Sequence, residues 1–196
     1  MAFARLFGHP PEKIAAAAVH RAAVDQARLV PFYADHGVPD TLDGRFEMIV
    51  LHAFLVLHRL SAHPEAQKFG QALYDVLFGD MDRALREMGT GDLSVGKQVK
   101  RMAEGFAGRI KAYRDGLAGT GDLREALRRN LYGTASPREE DLDFMAAYLQ
   151  CQVAELAGQD AAAITAGTAV FAAPRGGPHE APARNPLDGT AAKTDL

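Results

Sequence analysis

Apolar residues recur every three to four positions along most of this chain, and no stretch alternates in the manner of a strand. His9-Pro10-Pro11-Glu12 opens a first predicted helix that runs to about Leu29, where Val30-Pro31 ends or kinks it. Gly37-Val38-Pro39-Asp40 is a loop. The segment from Leu42 to Leu60 is hydrophobic nearly all round, which marks it as the central helix. After Ala62-His63-Pro64 a third helix is expected from about Glu65 to Met88, with Phe69, Leu73, Val76, Leu77, Met81, Leu85 and Met88 spaced by threes and fours. Gly89-Thr90-Gly91 is its stop signal. Ser94 is the expected N-cap of a fourth helix. Its stripe is Val95, Val99, Met102, Phe106, Ile110, Tyr113 and Leu117, and Lys97, Lys100, Arg101, Lys111 and Arg114 fall mainly on the other side. Gly105 and Gly108 inside it cost about 1 kcal/mol each against alanine unless something approaches closely. Asp122 and Glu125 predict the capped start of a short fifth helix ending near Tyr132-Gly133. Ser136-Pro137-Arg138-Glu139 predicts a sixth, capped by Ser136 and reaching at least Leu156. Residues 159–172 are alanine-rich and fit helix or coil. From Pro174 to Leu196 there are 4 prolines, 3 glycines and little to bury, so a disordered tail is expected. The predicted fold is all-α: one helical domain of about six helices over 1–157, an alanine-rich extension over 158–173 and the tail over 174–196.

A chain of 196 residues is long enough for one domain with a sizeable core. Its net charge of −3 is unevenly spread: residues 83–129 hold 11 basic and 6 acidic residues, whereas 1–82 and 130–196 are both net acidic. That basic island is too dilute, and too poor in aromatics, for nucleic-acid readout. An acidic protein face or an anionic membrane surface suits it better, beside the plainer reading of a solvated helix face. The single Cys151 excludes an intrachain disulfide, suits a reducing compartment, and is expected to be a small buried hydrophobe. No secretory signal is visible at the N-terminus. Met48 to Leu57 is far shorter than the ~20 apolar residues of a spanning helix, so no transmembrane segment is expected and the chain reads as cytosolic.

Gly91-Asp92-Leu93-Ser94-Val95-Gly96-Lys97 fits the first seven positions of a P-loop, but the next residue is Gln98 where a Ser or Thr hydroxyl must meet Mg²⁺. The segment before it is helical rather than a strand, so nucleotide binding is rejected. Asp75, Asp80 and Asp82 offer carboxylates for a divalent cation. Pairing of Asp82 with Arg86 and of Arg83 with Glu87 along the same helix is the favoured alternative, and no metal is assigned. His52 and His58 lie six residues apart on the central helix, which is wrong for a shared metal. His52 is expected to be a core histidine bonded to a carbonyl or a buried carboxylate. Arg109 borders the apolar stripe and is expected to brace its helix to Asp75, Asp82 or Glu87 on the preceding one, in preference to forming an anion site. No nucleophile, base and oxyanion donor assemble, so no catalytic residue and no cofactor are assigned.

The string from Tyr33 to Glu47, then Leu51-His52, Arg59-Leu60, Phe78-Gly79-Asp80-Met81-Asp82, Leu85-Arg86-Glu87-Met88-Gly89, Gly91 through Lys97, Met102-Ala103, Gly108-Arg109 and Tyr113 resembles the ubiquinol–cytochrome c reductase assembly chaperones, over roughly residues 12–157. The block from Leu85 to Lys97 is the specific part. The resemblance implies an all-α, non-enzymatic factor that handles newly made cytochrome b during assembly of complex III, and in mitochondria works with a small partner at the ribosome. Arginine (16) far exceeds lysine (6), which suggests a GC-rich bacterial genome, where that helper need not exist. Under this reading the protein sits in the cytoplasm, peripheral to the inner membrane. Lys97, Lys100, Arg101, Lys111, Arg114, Val95 and Asp92 become the expected partner-binding residues, and Asp82, Arg86 and Arg109 structural braces. An apolar groove for the client is expected between the second and fourth helices. The competing reading is an enzyme or carrier holding an isoprenoid or quinone-like ligand in a closed cavity reached by Asp80, Asp82 and His52 together.

Overall fold

The computed structural model describes residues 10–87, 89 and 91–174, apart from the side chains of Asp92, Leu93 and Gln98. The stretch before Pro10 and the expected tail beyond Pro174 lie outside the described residues. Eight α-helices and no strand occur among those described, so the all-α expectation holds: α1 (Pro11–Ala27), α2 (Val30–Ala34), α3 (Leu42–Leu60), α4 (Gln67–Glu87), α5 (Asp92–Leu117), α6 (Leu123–Asn130), α7 (Glu139–Ala157) and α8 (Ala161–Thr165). The two helices beyond the expected six are the short α2 and α8. Val30-Pro31 does end the first helix, and the proline then sits in the first turn of α2.

Central α3 begins and ends at the expected residues. Thr41 caps it, its hydroxyl accepting from the Gly44 amide at 3.2 Å. Gly44 is obligatory for the entry of the chain, because a Cβ there would stand 2.0 Å from the Pro39 carbonyl oxygen. Gly44→Ala is therefore expected to lower unfolding stability by roughly 2–4 kcal/mol, a loss read as a fall in the thermal midpoint. Two apolar clusters pack on α3. The larger gathers Val19, Phe32, Leu73, Met145 and Leu149 from α1, α2, α4 and α7, with Tyr132 just after α6, around Leu51 and Phe54 of α3. The smaller joins Phe46 and Val50 of α3 to Leu77, Met81 and Leu85 of α4 and to Val95 and Phe106 of α5.

Helix starts depart from expectation at two places. α5 begins at Asp92 with Gly91 as N-cap, so Ser94 lies inside the first turn. The cap is a glycine because the corner is so short: Gly89, at φ 81°, has already reversed the chain. At α7 the cap is Arg138, not Ser136, and the Asp141 carboxylate closes the capping box by accepting from the Arg138 amide at 2.9 Å. The start of α6 is as expected, with Asp122 accepting from the Glu125 amide at 3.0 Å.

The alanine-rich extension is structured. After α8 the backbone runs extended beside α7, tied by glutamines: Gln159 accepts from the Val170 amide at 3.0 Å, and fully buried Gln152 accepts from the Ala172 amide at 3.0 Å. Gln26 and Gln152 both donate to the Ala172 carbonyl at 2.7 Å. Arg59 closes the other side, donating to the carbonyls of Leu156 and Gln159 at 2.9 Å each. These bonds satisfy the open backbone of a segment with few side chains to bury.

Candidate binding face and cleft

On α5, at 100° per residue, Lys97, Lys100, Arg101, Lys111 and Arg114 fall within an arc of about 140° along roughly 25 Å of axis. All five are exposed. Lys100 and Lys111 are half neutralised by carboxylates one turn on, Glu104 at 3.8 Å and Asp115. Lys97, Arg101 and Arg114 have no carboxylate partner among the described residues, so free positive charge stands at both ends of the face. The structure thus brings the five expected cations onto one face. Val95 is not with them: it is fully buried in the smaller cluster, because a residue two positions before Lys97 points into the α4 contact. The Asp92 side chain lies outside the described residues.

Arg101 stands where this face meets a cleft between α3, α5 and α6. The cleft has a volume of about 440 Å³, and its lining includes Phe46, Met102 and Leu131 as well as Asp43, Glu47, Arg109, Arg129 and Asn130. A cleft does lie between the second and fourth helices, but it sits beside Gly105 and α6 and is not the apolar groove expected there. Its walls are more polar than expected, since Val95 and Phe106 are taken into the core and half-buried Met102 is left at the opening.

Arg109 is the brace across this cleft, with a different partner from the expected ones. Its Nη2 lies 2.6 Å from Glu47 Oε1, so it ties α5 to central α3 and not to α4. Gly105 leaves room for the guanidinium: a Cβ there would stand 2.4 Å from Arg109 Nη1, and the end of that side chain would have to shift. Burial pushes the Glu47 carboxyl above its ordinary range, and the guanidinium beside it pulls the other way. Asp82 and Arg86 pair with each other along α4 at 2.7 Å, and Arg83 meets Asp80 at 3.2 Å where Glu87 was expected. A signal for Glu47 was present in the sequence: an acid inside an apolar helix needs a cation within the fold.

Asp80 also faces α1, with His20 Nε2 at 3.3 Å, a pair that the spacing along either helix could not reveal. No group of three or more His, Cys, Asp or Glu side chains suited to a metal comes together among the described residues. His52 is the expected core histidine. Its Nδ1 donates to the Met48 carbonyl at 2.7 Å, and its Nε2 accepts from the Tyr148 hydroxyl at 2.8 Å. Fully buried with both nitrogens engaged, it reaches no ligand, while Asp80 lines a separate groove between α1 and α4. Among the described residues, His52 and Asp80 therefore do not meet in one cavity of the kind a carrier would need at Asp80, Asp82 and His52. Cys151 is exposed, not buried, on the edge of a cleft between α7 and the extension; its helix position turns outward. No helix among the described residues is long and apolar enough to cross a membrane.

Comparison with known proteins gives this architecture a context. The sequence model of the family described as ubiquinol-cytochrome C chaperone matches residues 34–171, taking in the glutamine-tied extension that lies beyond the span of the resemblance noted from sequence. The chain is 25% identical over 143 residues to ubiquinol-cytochrome-c reductase complex assembly factor 1 of Xenopus laevis, covering 72% of each. It is 33% identical over 107 residues to protein CBP3, mitochondrial, of Saccharomyces cerevisiae, covering 52% of this chain and 32% of that one. The crystal structure of the Cbp3 homolog from Brucella abortus superposes with a TM-score of 0.73 at 33% identity, over 84% of this chain and 92% of that one.

Proposed function

The chain belongs to the ubiquinol-cytochrome c chaperone family, and from that premise we propose that it binds newly synthesised cytochrome b while complex III is assembled. The observation that carries the reading is the meeting of a basic face, unpaired at Lys97 and Arg101, with a partly apolar cleft at Arg101. A membrane-protein client emerging at an anionic surface offers negative charge and apolar side chains together, and each Lys or Arg near such a surface contributes about 1 kcal/mol. Lys97 and Arg101 are the leading contacts, with Lys100, Lys111 and Arg114 extending the same face. The work is holding and releasing a protein, with no bond made or broken. It would take place on the cytoplasmic side of a bacterial inner membrane, with or without the ribosome nearby.

Two charge reversals, Lys97→Glu with Arg101→Glu, introduced together in a host lacking its own copy, test this. Assembled complex III is expected to fall roughly tenfold through weakened capture, with the variant's circular dichroism and thermal midpoint unchanged because both positions are exposed. Full complex III assembly by the reversed variant would contradict the proposal.

A further inference from the structure

Six buried side-chain nitrogens and oxygens have no hydrogen-bond partner among the described residues, and four of them gather at one place: Glu47 Oε2, Arg109 Nε, Tyr113 Oη and Asn130 Nδ2. Glu47, Arg109 and Asn130 line the cleft between α3, α5 and α6. Tyr113, fully buried, lies in the electrostatic field of Glu47, Arg109 and Arg129. Such groups are almost always paired in folded proteins, because each one left alone costs about 1–3 kcal/mol. Three of the four belong to residues that line an open cleft and lie just beneath its surface, which marks a place where a polar group is received as those side chains turn toward it.

The lining also says what kind. Arg101, Arg109 and Arg129 against Asp43 and Glu47 give the cleft a formal charge of +1, which suits one negative charge. Arg109 Nε and Asn130 Nδ2 are unused donors, while Glu47 Oε2 is an unused acceptor. A phosphodiester offers acceptors only and would leave Glu47 Oε2 alone. A peptide offers both, a carboxylate for the donors and a backbone N–H for the acceptor. Phe46, Met102 and Leu131 beside these groups would cover apolar neighbours of the acidic residue.

We propose that this cleft is a carboxylate-binding site, which takes one acidic side chain of an otherwise apolar peptide segment of the client. The inference rests on the chaperone reading above and adds the residue type recognised. The guanidiniums of Arg101 and Arg129 draw the carboxylate in from the mouth, and Arg109, held in place by Glu47 and Gly105, receives it with Asn130.

The test uses the full chain and two end-blocked peptides, Ala-Leu-Glu-Leu-Ala and Ala-Leu-Gln-Leu-Ala, alike in shape and different in charge. By calorimetry the glutamate peptide is expected to bind roughly tenfold more tightly, the scale of a charge-assisted hydrogen bond over a neutral one. Arg129→Ala and Arg101→Ala, both at exposed positions, are expected to narrow that ratio. Equal binding of the two peptides, or a ratio untouched by both substitutions, would overturn the proposal. So would phosphatidylglycerol vesicles that shield the cleft from exchange while neither peptide binds. Capture of cytochrome b by the basic face alongside equal peptide binding removes this inference and leaves the chaperone reading standing. Glutamate preference without capture of cytochrome b keeps the carboxylate site and removes the client assigned to it.

Discussion

Arg109→Met is expected to lower unfolding stability by about 3 kcal/mol at neutral pH, the largest loss foreseen for any charged side chain outside the turns. The substitution keeps the length and apolar stem of the side chain and removes only the partner of Glu47, a residue 7% exposed. What remains is a carboxylate shut away from water, and the cost is that of stranding it more than that of the lost attraction. The pH dependence follows from the same cause. Burial raises the Glu47 carboxyl even with the guanidinium 2.6 Å away, so without it the folded state prefers the protonated acid more strongly. A group whose folded pKa lies above its unfolded value contributes stability at low pH that is lost as pH rises through the folded pKa. The variant is therefore expected to approach the parent in acid and fall behind it toward neutrality. Glu47→Leu combined with Arg109→Met is expected to recover most of the loss. Urea unfolding of the parent, the single and the double variant across pH measures all three. A single variant no weaker than Lys111→Met, at an exposed pair on the same helix, would show that the brace carries nothing.

His52 sets the second large effect. Burial pushes its imidazole down to about 4, and the bonds agree with a neutral ring. The Met48 carbonyl only accepts, so Nδ1 bears the proton, and Nε2 accepts from Tyr148, whose oxygen in turn accepts from Gln26 at 2.9 Å. An imidazolium would present a donor to the Tyr148 hydroxyl. With a folded pKa depressed from 6.5, stability is complete above the unfolded pKa and is lost as pH falls toward the folded one. Across that window the parent is expected to lose about 3 kcal/mol through this residue alone. His52→Leu should flatten the acid limb of the stability profile while losing about 1 kcal/mol at neutral pH with the Tyr148 bond. An acid limb of unchanged steepness in the variant would assign the loss to other groups.

The fold was largely written in the hydrophobic period. The bounds of α3, the stop at Gly89, the cap at Asp122 and the placing of His52 follow from local rules, and each rule needs only residues within a turn or two. What escaped was what depends on partners distant in the chain. Arg109 was recognisable as a brace from its place beside the apolar stripe, yet its partner sits 62 positions away on a helix whose angle to α5 no spacing reveals. The cleft shares this property, since Arg129 and Asn130 come to it from α6 only through the packing of α5 on α6. The extension escaped for another reason: it is held by glutamine side chains to backbone, which leaves no apolar period in the sequence. Ser94 and Ser136 were good caps by residue type and were overridden, one by a corner that closed three residues early and one by the two-sided bonding of Arg138 and Asp141.

The proposed hold of the basic face of α5 on cytochrome b precedes completion of complex III. A photoreactive amino acid at position 97 or 101, in the native host, tests it most directly. A crosslink to unassembled cytochrome b is expected from either position, and none when the probe is moved to exposed Ile14 on α1. No cytochrome b captured from α5, with complex III assembling normally in a strain without the protein, would contradict it.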